Sequence, residues 1–167
     1  MGKNSRQMVL FSPGTGKTKT DLEIARQEVE DGKDEGVTCR CCGQFCKLYR
    51  RKLNSNMAAF LCRLVVRFDG ETPIHHSEIR DSKQGRDYPH LAAWGLMFDS
   101  PSPDGKKRRS GWWTPTSKGI DFAHRRIRVP QYALVFDGKV EGYGGEDIGV
   151  VDALGDRFDY REMMGGV

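Results

Sequence analysis

Apolar residues recur at three- and four-residue steps between Asn54 and Phe68, a spacing that predicts an amphipathic helix with a wide buried stripe. Asn54 or Ser55 stands where a capping residue is expected, and Asp69-Gly70 follows the last apolar position. Cys62 lies beside the stripe and is interpreted as an ordinary small core residue. The stripe consists of Met57, Phe60, Leu61, Leu64, Val65 and Phe68. We expect this helix to form the centre of a hydrophobic core.

A second apolar pattern, shortly after residue 90, combines a short helix with two strands. The helix contains Trp94 and is expected to end at Gly95, because glycine readily adopts the left-handed conformation found after helices. Leu96 to Phe98 and Trp112-Trp113 are typical of strands, and the segment between them is rich in Pro, Ser and Gly. That segment ends in four consecutive cations: Lys106, Lys107, Arg108 and Arg109.

Turn and capping residues predict shorter elements around these two patterns. Glu71 to His76 is expected to pair with the two strands, and Ser77 to Lys83 to form a short second helix. Asp87 is expected to cap a third helix, which continues to Gly95. Ser117 to Arg128 is predicted to be a further helix with basic residues in its last turn.

The N-terminal region is expected to be loose up to about residue 19, with a helix after it. Thr20 and Glu23 fit a capping box, and the helix would run to about Glu30 before an acidic linker. Pro13 to Thr18 ends like a phosphate-binding loop, but that pattern requires glycine where the chain has Phe11. We therefore do not expect ATP binding.

The C-terminal region combines a hairpin signal with an acidic tail. Asp137-Gly138 is a two-residue turn between the predicted strands Val129 to Phe136 and Lys139 to Glu141. Gly142 to Gly145 is interpreted as a flexible turn. Asp147 to Met164 is predicted to be mainly helical, with a break at Gly155.

Between about residues 53 and 124 the elements follow the order helix, Gly-Leu, strand, basic loop, strand and Thr/Ser-x-x-Gly. This order resembles the second half of a winged-helix domain, as in MarR-like regulators. The resemblance implies an α+β fold with a winged helix-turn-helix core, in which the basic loop is the wing and touches DNA. It directs Arg86, Asp87, His90 and Ala93 of the third helix toward the bases. Apart from Arg86 that face lacks side chains suited to bidentate base contacts, so specific readout is not expected.

The predicted organisation has three parts. Residues 1–38 form a tail, helix and linker, residues 39–128 a Cys-rich knuckle with the winged-helix domain, and residues 129–167 a hairpin-plus-helix extension. The whole chain also resembles uncharacterised small phage and bacterial proteins that share CxxCG, Y-x-R-K-L, W-G-L and a closing Phe-Asp-Tyr.

Positive charge is concentrated in two blocks, although the net charge of +4 is modest. Residues 39–68 carry seven Lys/Arg and no acid, and residues 104–130 carry eight cations and two acids. Such blocks suit a polyanion if folding brings them to one side, and are otherwise solvated faces on opposite sides. The candidate nucleic-acid contacts are the four loop cations with Lys47, Arg50, Arg51, Lys52, Arg86 and His90.

Four of the five cysteines lie between Cys39 and Cys46. Cys39-x-x-Cys42-Gly has the spacing of a zinc knuckle, with Cys46 as a third ligand and His75 or His76 as a fourth. The alternative is a metal-free turn with free thiols. The odd cysteine number, with no secretory or membrane-spanning apolar run, favours a cytoplasmic protein without a membrane partner.

Enzyme motifs are not apparent in the sequence. His76-Ser77-Glu78 mimics the H-x-E of zinc deaminases, but the cysteine pair precedes it rather than following it. The leading expectation is a non-enzymatic protein that binds double-stranded DNA, with a role in transcription regulation and a homodimer as one possible state. The alternative is a protein-binding winged-helix module, such as a phage-encoded inhibitor of a host or defence protein.

Overall fold

A computed structural model describes residues 19–80, 85–105 and 111–165 of the chain. The chain divides after Leu48 into two compact units. The Cys-rich segment therefore belongs to the same unit as the N-terminal helix.

The described residues of the first unit, 19–48, contain one helix and a short hairpin. Helix α1 spans Lys19–Gly32, which confirms the predicted helix and extends it by two residues at its C-terminal end. Strands β1 (Val37–Thr38) and β2 (Phe45–Cys46) pair antiparallel, with Val37 opposite Cys46. The cysteine turn lies between these two strands.

The second unit is built around the predicted core helix. Helix α2 spans Ser55–Arg67, and the Asn54 side chain accepts a hydrogen bond from the Met57 N–H at 3.1 Å. This confirms Asn54 as the N-cap. The apolar stripe is buried except for Phe68, which is half-buried, and Ala58, Ala59 and Cys62 are buried as well.

The segment after α2 has the predicted strand, a second helix that is shorter than expected and a third helix with the predicted bounds. Strand β4 is Ile74–His75 and helix α3 is His76–Ile79; residues 81–84 of the predicted second helix lie outside the described residues. The third helix, Tyr88–Trp94, is a 3-10 helix rather than an α-helix. The Asp87 side chain does not cap this helix, and its carboxylate instead accepts from the Asn54 amide at 3.5 Å.

Two strands after this helix complete a three-stranded antiparallel sheet with β4. Strands β5 (Met97–Ser100) and β6 (Trp112–Pro115) pair with each other, and β6 also pairs with β4, which gives the order β4-β6-β5. The strands predicted around the basic loop are confirmed, and so is the pairing of the Glu71-to-His76 segment with one of them. Trp94 and Trp113 are both buried.

The Gly-Leu and Thr-x-x-Gly motifs contact each other directly. Gly95 has φ of 67°, the left-handed conformation expected at a helix end. Thr116 donates from its hydroxyl to the Gly95 carbonyl at 2.7 Å and from its N–H to the Leu96 carbonyl at 3.1 Å. A Cβ on Gly119 would overlap the Leu96 backbone. The two motifs therefore join the third helix to the start of helix α4, which spans Ser117–Ala123.

The helix predicted over Ser117 to Arg128 is too long. Helix α4 ends at Ala123, and two residues later Arg125 has φ of 65°, which is incompatible with continuing a right-handed helix. The basic residues after it lead into strand β7, Val129–Phe136.

The C-terminal hairpin is longer than predicted. Strand β8 spans Lys139–Ile148, so Gly142 to Gly145 are part of a strand rather than a turn. Strand β7 provides pairing partners, with Leu134 opposite Gly142 and Tyr132 opposite Gly144, and Gly145 has φ of 79° at an irregularity of this pairing. Strand β3, Tyr49–Lys52, pairs with the other side of β7, and the sheet order is β3-β7-β8.

The acidic tail forms short helices, which confirms only part of the predicted helical segment. Its first two residues, Asp147 and Ile148, belong to β8. Helix α5 spans Val150–Leu154, a 3-10 turn covers Gly155–Arg157, and helix α6 spans Tyr160–Met163. The predicted break at Gly155 is confirmed. No helix among the described residues is long and apolar enough to cross a bilayer.

Candidate functional site

Strand β3 carries the candidate cations on the edge of a sheet. Arg50 lies opposite Leu134 and Arg51 opposite Ala133 of β7. Because successive side chains of a strand point to opposite faces, Tyr49 and Arg51 share one face and Arg50 and Lys52 the other. The strand therefore presents positive charge on both sides of the sheet edge.

The structure brings His90 to these cations from a distant part of the sequence. A cleft of about 250 Å³ is lined by Arg50, Arg51 and Lys52 of the strand together with His90 and Asp87. Four of the candidate nucleic-acid contacts, Arg50, Arg51, Lys52 and His90, thus lie around one concave surface. Lys47 is exposed in the first unit, and Arg86 is exposed in the second unit but does not line this cleft.

The cations of β3 differ from other arginines in what they contact. Arg50 stacks on the Tyr132 ring at 3.7 Å, and Arg51 lies 5.6 Å from the Tyr49 ring. Within the described ranges, no carboxylate forms an ion pair with Arg50, Arg51 or Lys52. By contrast, Arg126 pairs with Asp121 at 2.7 Å and Arg128 with Asp152 at 2.9 Å. The charge of the β3 cations is thus available to an external anion.

The surroundings of His90 lower the pKa of its imidazole. Its pKa lies below the ordinary value, first because burial disfavours the imidazolium form and second because Arg51 repels it. Asp87 partly offsets both effects. His90 is therefore mainly neutral near pH 7 and becomes an additional cation in more acidic solution.

The C-terminal hairpin holds the third helix by two hydrogen bonds. The Trp94 indole donates to the Pro130 carbonyl at 2.6 Å, and the Tyr143 hydroxyl donates to the Ala93 carbonyl at 2.8 Å. The helix surface that carries His90 and Ala93 therefore borders a cleft shared with the sheet.

This second cleft is mainly apolar and contains residues that sequence reasoning did not assign to a site. Its volume is about 450 Å³, and Arg51 and His90 line it as well as the basic cleft. Its apolar walls include Tyr49, Ala92, Ala93, Val135 and Val140. For the wall that β3 forms, the sequence does carry a signal, because Tyr49 and Arg51 are two residues apart and therefore lie on one face of a strand. No local signal placed Val135 and Val140 beside the helix, because the hairpin reaches it only in the tertiary fold.

The four cations Lys106, Lys107, Arg108 and Arg109 lie outside the described residues. The strands on either side of them are paired, with Ser100 opposite Trp112. The loop between these strands thus starts and ends at one point of the sheet.

The cysteine turn between β1 and β2 is closed by backbone hydrogen bonds. The Cys39 N–H donates to the Gln44 carbonyl, and the Gly43 N–H donates to the Cys39 carbonyl, both at 2.8 Å. The pKa of Cys39 is lowered, first because the Cys42 N–H donates to its sulfur and second because the Cys41 N–H does so. This arrangement favours a thiolate, the form that binds metals.

The remaining candidate zinc ligands are engaged in other contacts. The Cys46 thiol donates to the Gln44 carbonyl at 3.6 Å, while His75 contacts the Ser77 hydroxyl at 2.7 Å and His76 the Gly111 carbonyl at 3.2 Å. In the part of the chain that the structure describes, no group of three or more potential ligands is gathered at one point. Cys62 is buried in the core, which raises the pKa of its thiol to about 12.

No protein-family model, curated protein or solved structure matches this chain. What the site can bind therefore follows from the chemistry of its own residues.

Proposed function

We propose that the chain is a non-enzymatic nucleic-acid-binding protein that contacts the phosphate backbone through strand β3 and His90 and acts in transcription regulation. The observation that carries this proposal is the set of cations Arg50, Arg51 and Lys52, which line one cleft without a carboxylate partner among the described residues. Unneutralised arginines and lysines on one surface are the usual electrostatic feature of proteins that bind nucleic acid.

The proposed architecture of the second unit is a winged helix with an added sheet. A winged helix contains a strand before its second helix, and this strand pairs with the last strand of the wing. Strand β4 has that position, and the order β4-β6-β5 agrees with it. The basic loop would then be the wing, with Lys106, Lys107, Arg108 and Arg109 close to its C-terminal end.

Binding of this kind has little sequence preference. The third helix has seven residues and is tied to the hairpin through Ala93 and Trp94, so it offers few side chains to base edges. Contacts to phosphate position a protein without reading the sequence. We therefore expect similar affinities for unrelated duplexes.

The proposal is tested with two matched double variants. Arg50→Ala/Arg51→Ala removes two cations without a carboxylate partner, whereas Arg126→Ala/Arg128→Ala removes two arginines that already neutralise carboxylates. Electrophoretic titrations of several unrelated duplexes at about 50 and 200 mM salt measure affinity and its salt dependence. The first variant should weaken binding to all duplexes and reduce the salt slope by about two units, while the second has a much smaller effect.

Two results would contradict this assignment. If the unmodified protein has negligible affinity for duplex and single-stranded DNA at low salt, the nucleic-acid function is wrong and a protein partner becomes the better reading. If both double variants lose affinity equally, the protein binds nucleic acid but strand β3 is not its contact surface.

Zinc binding by Cys39 and Cys42 is a separate proposal about the first unit. The turn is closed tightly by the Cys39–Gln44 and Gly43–Cys39 hydrogen bonds, and its two N–H donors stabilise a thiolate. Zinc prefers four such ligands in structural sites. The turn offers two, and Cys46 or a histidine are the candidates for the remainder.

A further inference from the structure

The basic cleft and the apolar cleft of the second unit are neighbouring parts of one surface. Arg51 and His90 line both of them, so a ligand that reaches from one cleft to the other passes these two side chains. One part is lined by Arg50 and Lys52, and the other by Tyr49 and Val140. The surface therefore suits a molecule that combines an anionic group with an apolar, flat group.

The apolar cleft has the dimensions of a small-ligand site. Its volume of about 450 Å³ falls within the range in which proteins hold small molecules or parts of larger ones. Tyr49 is 51% exposed and Val140 39% exposed, so both leave apolar surface in water that a ligand would cover. Arg51 lies 5.6 Å from the Tyr49 ring, and the pair can present stacked planar groups to a ligand.

We propose that the apolar cleft takes an unpaired base of a single-stranded nucleic acid, while the adjoining phosphate lies in the basic cleft. This inference rests on the proposed function, because the same cations hold the phosphate. A base inside a duplex is stacked between its neighbours and cannot enter a cleft unless it turns out of the helix. Base stacking on aromatic side chains is, in addition, tolerant of base identity, since every base has a flat apolar face.

The charge of the surface favours a nucleotide over an apolar peptide side chain. An apolar side chain would fill the cleft beside Tyr49 and Val140 but would leave Arg50, Arg51 and Lys52 without an anion. A nucleotide places its base and its phosphate a short distance apart, as the two clefts are. Its phosphate also favours the charged form of His90, which the free protein disfavours.

The test compares three probes by fluorescence anisotropy, of which the two single strands carry the same backbone charge. They are a single strand of about 12 nucleotides, an abasic strand of the same length in which hydrogen replaces each base, and the corresponding duplex. We expect the abasic strand to bind about 5- to 150-fold more weakly than the strand with bases, the range for loss of one stacked base. The duplex should also bind more weakly than the single strand.

Substitutions in the apolar cleft test whether the preference for the strand with bases arises there. Tyr49→Ala and Val140→Ala should reduce the preference for the strand with bases over the abasic strand. Tyr49→Phe, which keeps the ring, should retain the preference. Val151→Ala is the matched control, because Val151 is 44% exposed and lies on α5 away from this cleft. A thermal melt of each variant confirms that it is folded.

Each other outcome has a definite meaning. Equal affinity for the strand with bases and the abasic strand overturns the inference and leaves phosphate binding intact. A base preference that Tyr49→Ala does not change overturns the assignment to this cleft. If neither nucleic acid binds at low salt, the proposed function fails together with the inference, and the apolar cleft is left to a protein partner.

Discussion

At the scale of single residues, the arginines of the second unit differ in whether a carboxylate or an aromatic ring lies beside the guanidinium. Arg126 and Arg128 contact carboxylates, which already neutralise them, whereas Arg50 and Arg51 contact the rings of Tyr132 and Tyr49. An aromatic ring orients a guanidinium without cancelling its charge. Tyr132 and Tyr49 therefore orient Arg50 and Arg51 without neutralising their charge.

His90 should make nucleic-acid binding depend on pH. The pKa of His90 is below 6.5 in the free protein, and a nearby phosphate favours the charged imidazole, so affinity should rise as the pH falls from 7 to about 5. His90→Gln should reduce this pH dependence, as measured by anisotropy titrations at several pH values. Parallel pH profiles for the two proteins would show that another group is responsible.

The same residue should affect stability with the opposite sign. The unfolded chain binds the His90 proton more tightly than the folded chain, so this contribution to folding stability falls as the pH drops below 6.5. In denaturant titrations without nucleic acid, His90→Gln should therefore lose less stability between pH 7 and about 5 than the unmodified protein does. A purely structural role of His90 would not produce opposite trends in binding and stability.

Gly119 should not tolerate a side chain. A Cβ at this position would overlap the Leu96 backbone, which the Thr116 N–H also contacts. Gly119→Ala should lower the free energy of unfolding by about 1–3 kcal/mol, the range for overpacking a tight site. Gly144→Ala is the control, because a Cβ on Gly144 would contact nothing within 4 Å. Equal melting temperatures for the two variants in a thermal melt would contradict this contact.

At the scale of elements, the third helix and strand β3 act as a pair. The 3-10 helix Tyr88–Trp94 is held against the hairpin by the Trp94 and Tyr143 hydrogen bonds. Strand β3 is the edge strand of the same sheet. The position of the helix on the sheet brings His90 to Arg51 and creates the two adjoining clefts.

The cysteine hairpin should bind zinc if its thiolates act as ligands. Metal analysis of protein purified without added zinc should find one zinc per chain if Cys46 or a histidine of the same chain completes the site. A ratio of one half would indicate that two copies share the ion. Cys39→Ser should abolish binding, and Cys41→Ser is its control because Cys41 lies outside the Cys39-x-x-Cys42 spacing.

A ratio near zero would end the zinc proposal. The thiol titration that accompanies it should count four accessible cysteines in the folded metal-free chain rather than five, because Cys62 is buried and its pKa is raised to about 12. Unfolding in denaturant should expose the fifth.

At the scale of the whole molecule, the four loop cations should add to the nucleic-acid binding proposed for β3. Changing Lys106, Lys107, Arg108 and Arg109 to Ala should weaken binding to all duplexes alike and flatten the salt dependence by about one unit for each lost phosphate contact. Electrophoretic titration against unrelated duplexes at two salt concentrations measures both quantities. A loss of affinity for one sequence alone would mean that the loop reads bases rather than phosphate.

Local pattern alone determined most of the elements of the second unit. The apolar stripe of α2, its Asn54 cap, the end of the third helix at Gly95 and the Asp137-Gly138 hairpin depend on neighbours within a few residues. The mixed α and β composition follows from them. The resemblance to a winged helix was drawn from the order of these elements, and the α+β class that it implied is confirmed.

The tertiary structure alone decided where the elements end and which of them form the site. Helix α4 stops at Ala123 and β8 continues through its glycines because packing and strand pairing outweigh local preference there. The cations of β3 and His90 were identified as candidates from the sequence. Their closeness in the fold was not predicted, since His90 stands 38 positions after Lys52. The apolar cleft was not foreseen at all. Its walls come from the strand, the helix and the hairpin, and the long-range pairing of β3 with β7 of the hairpin brings them together.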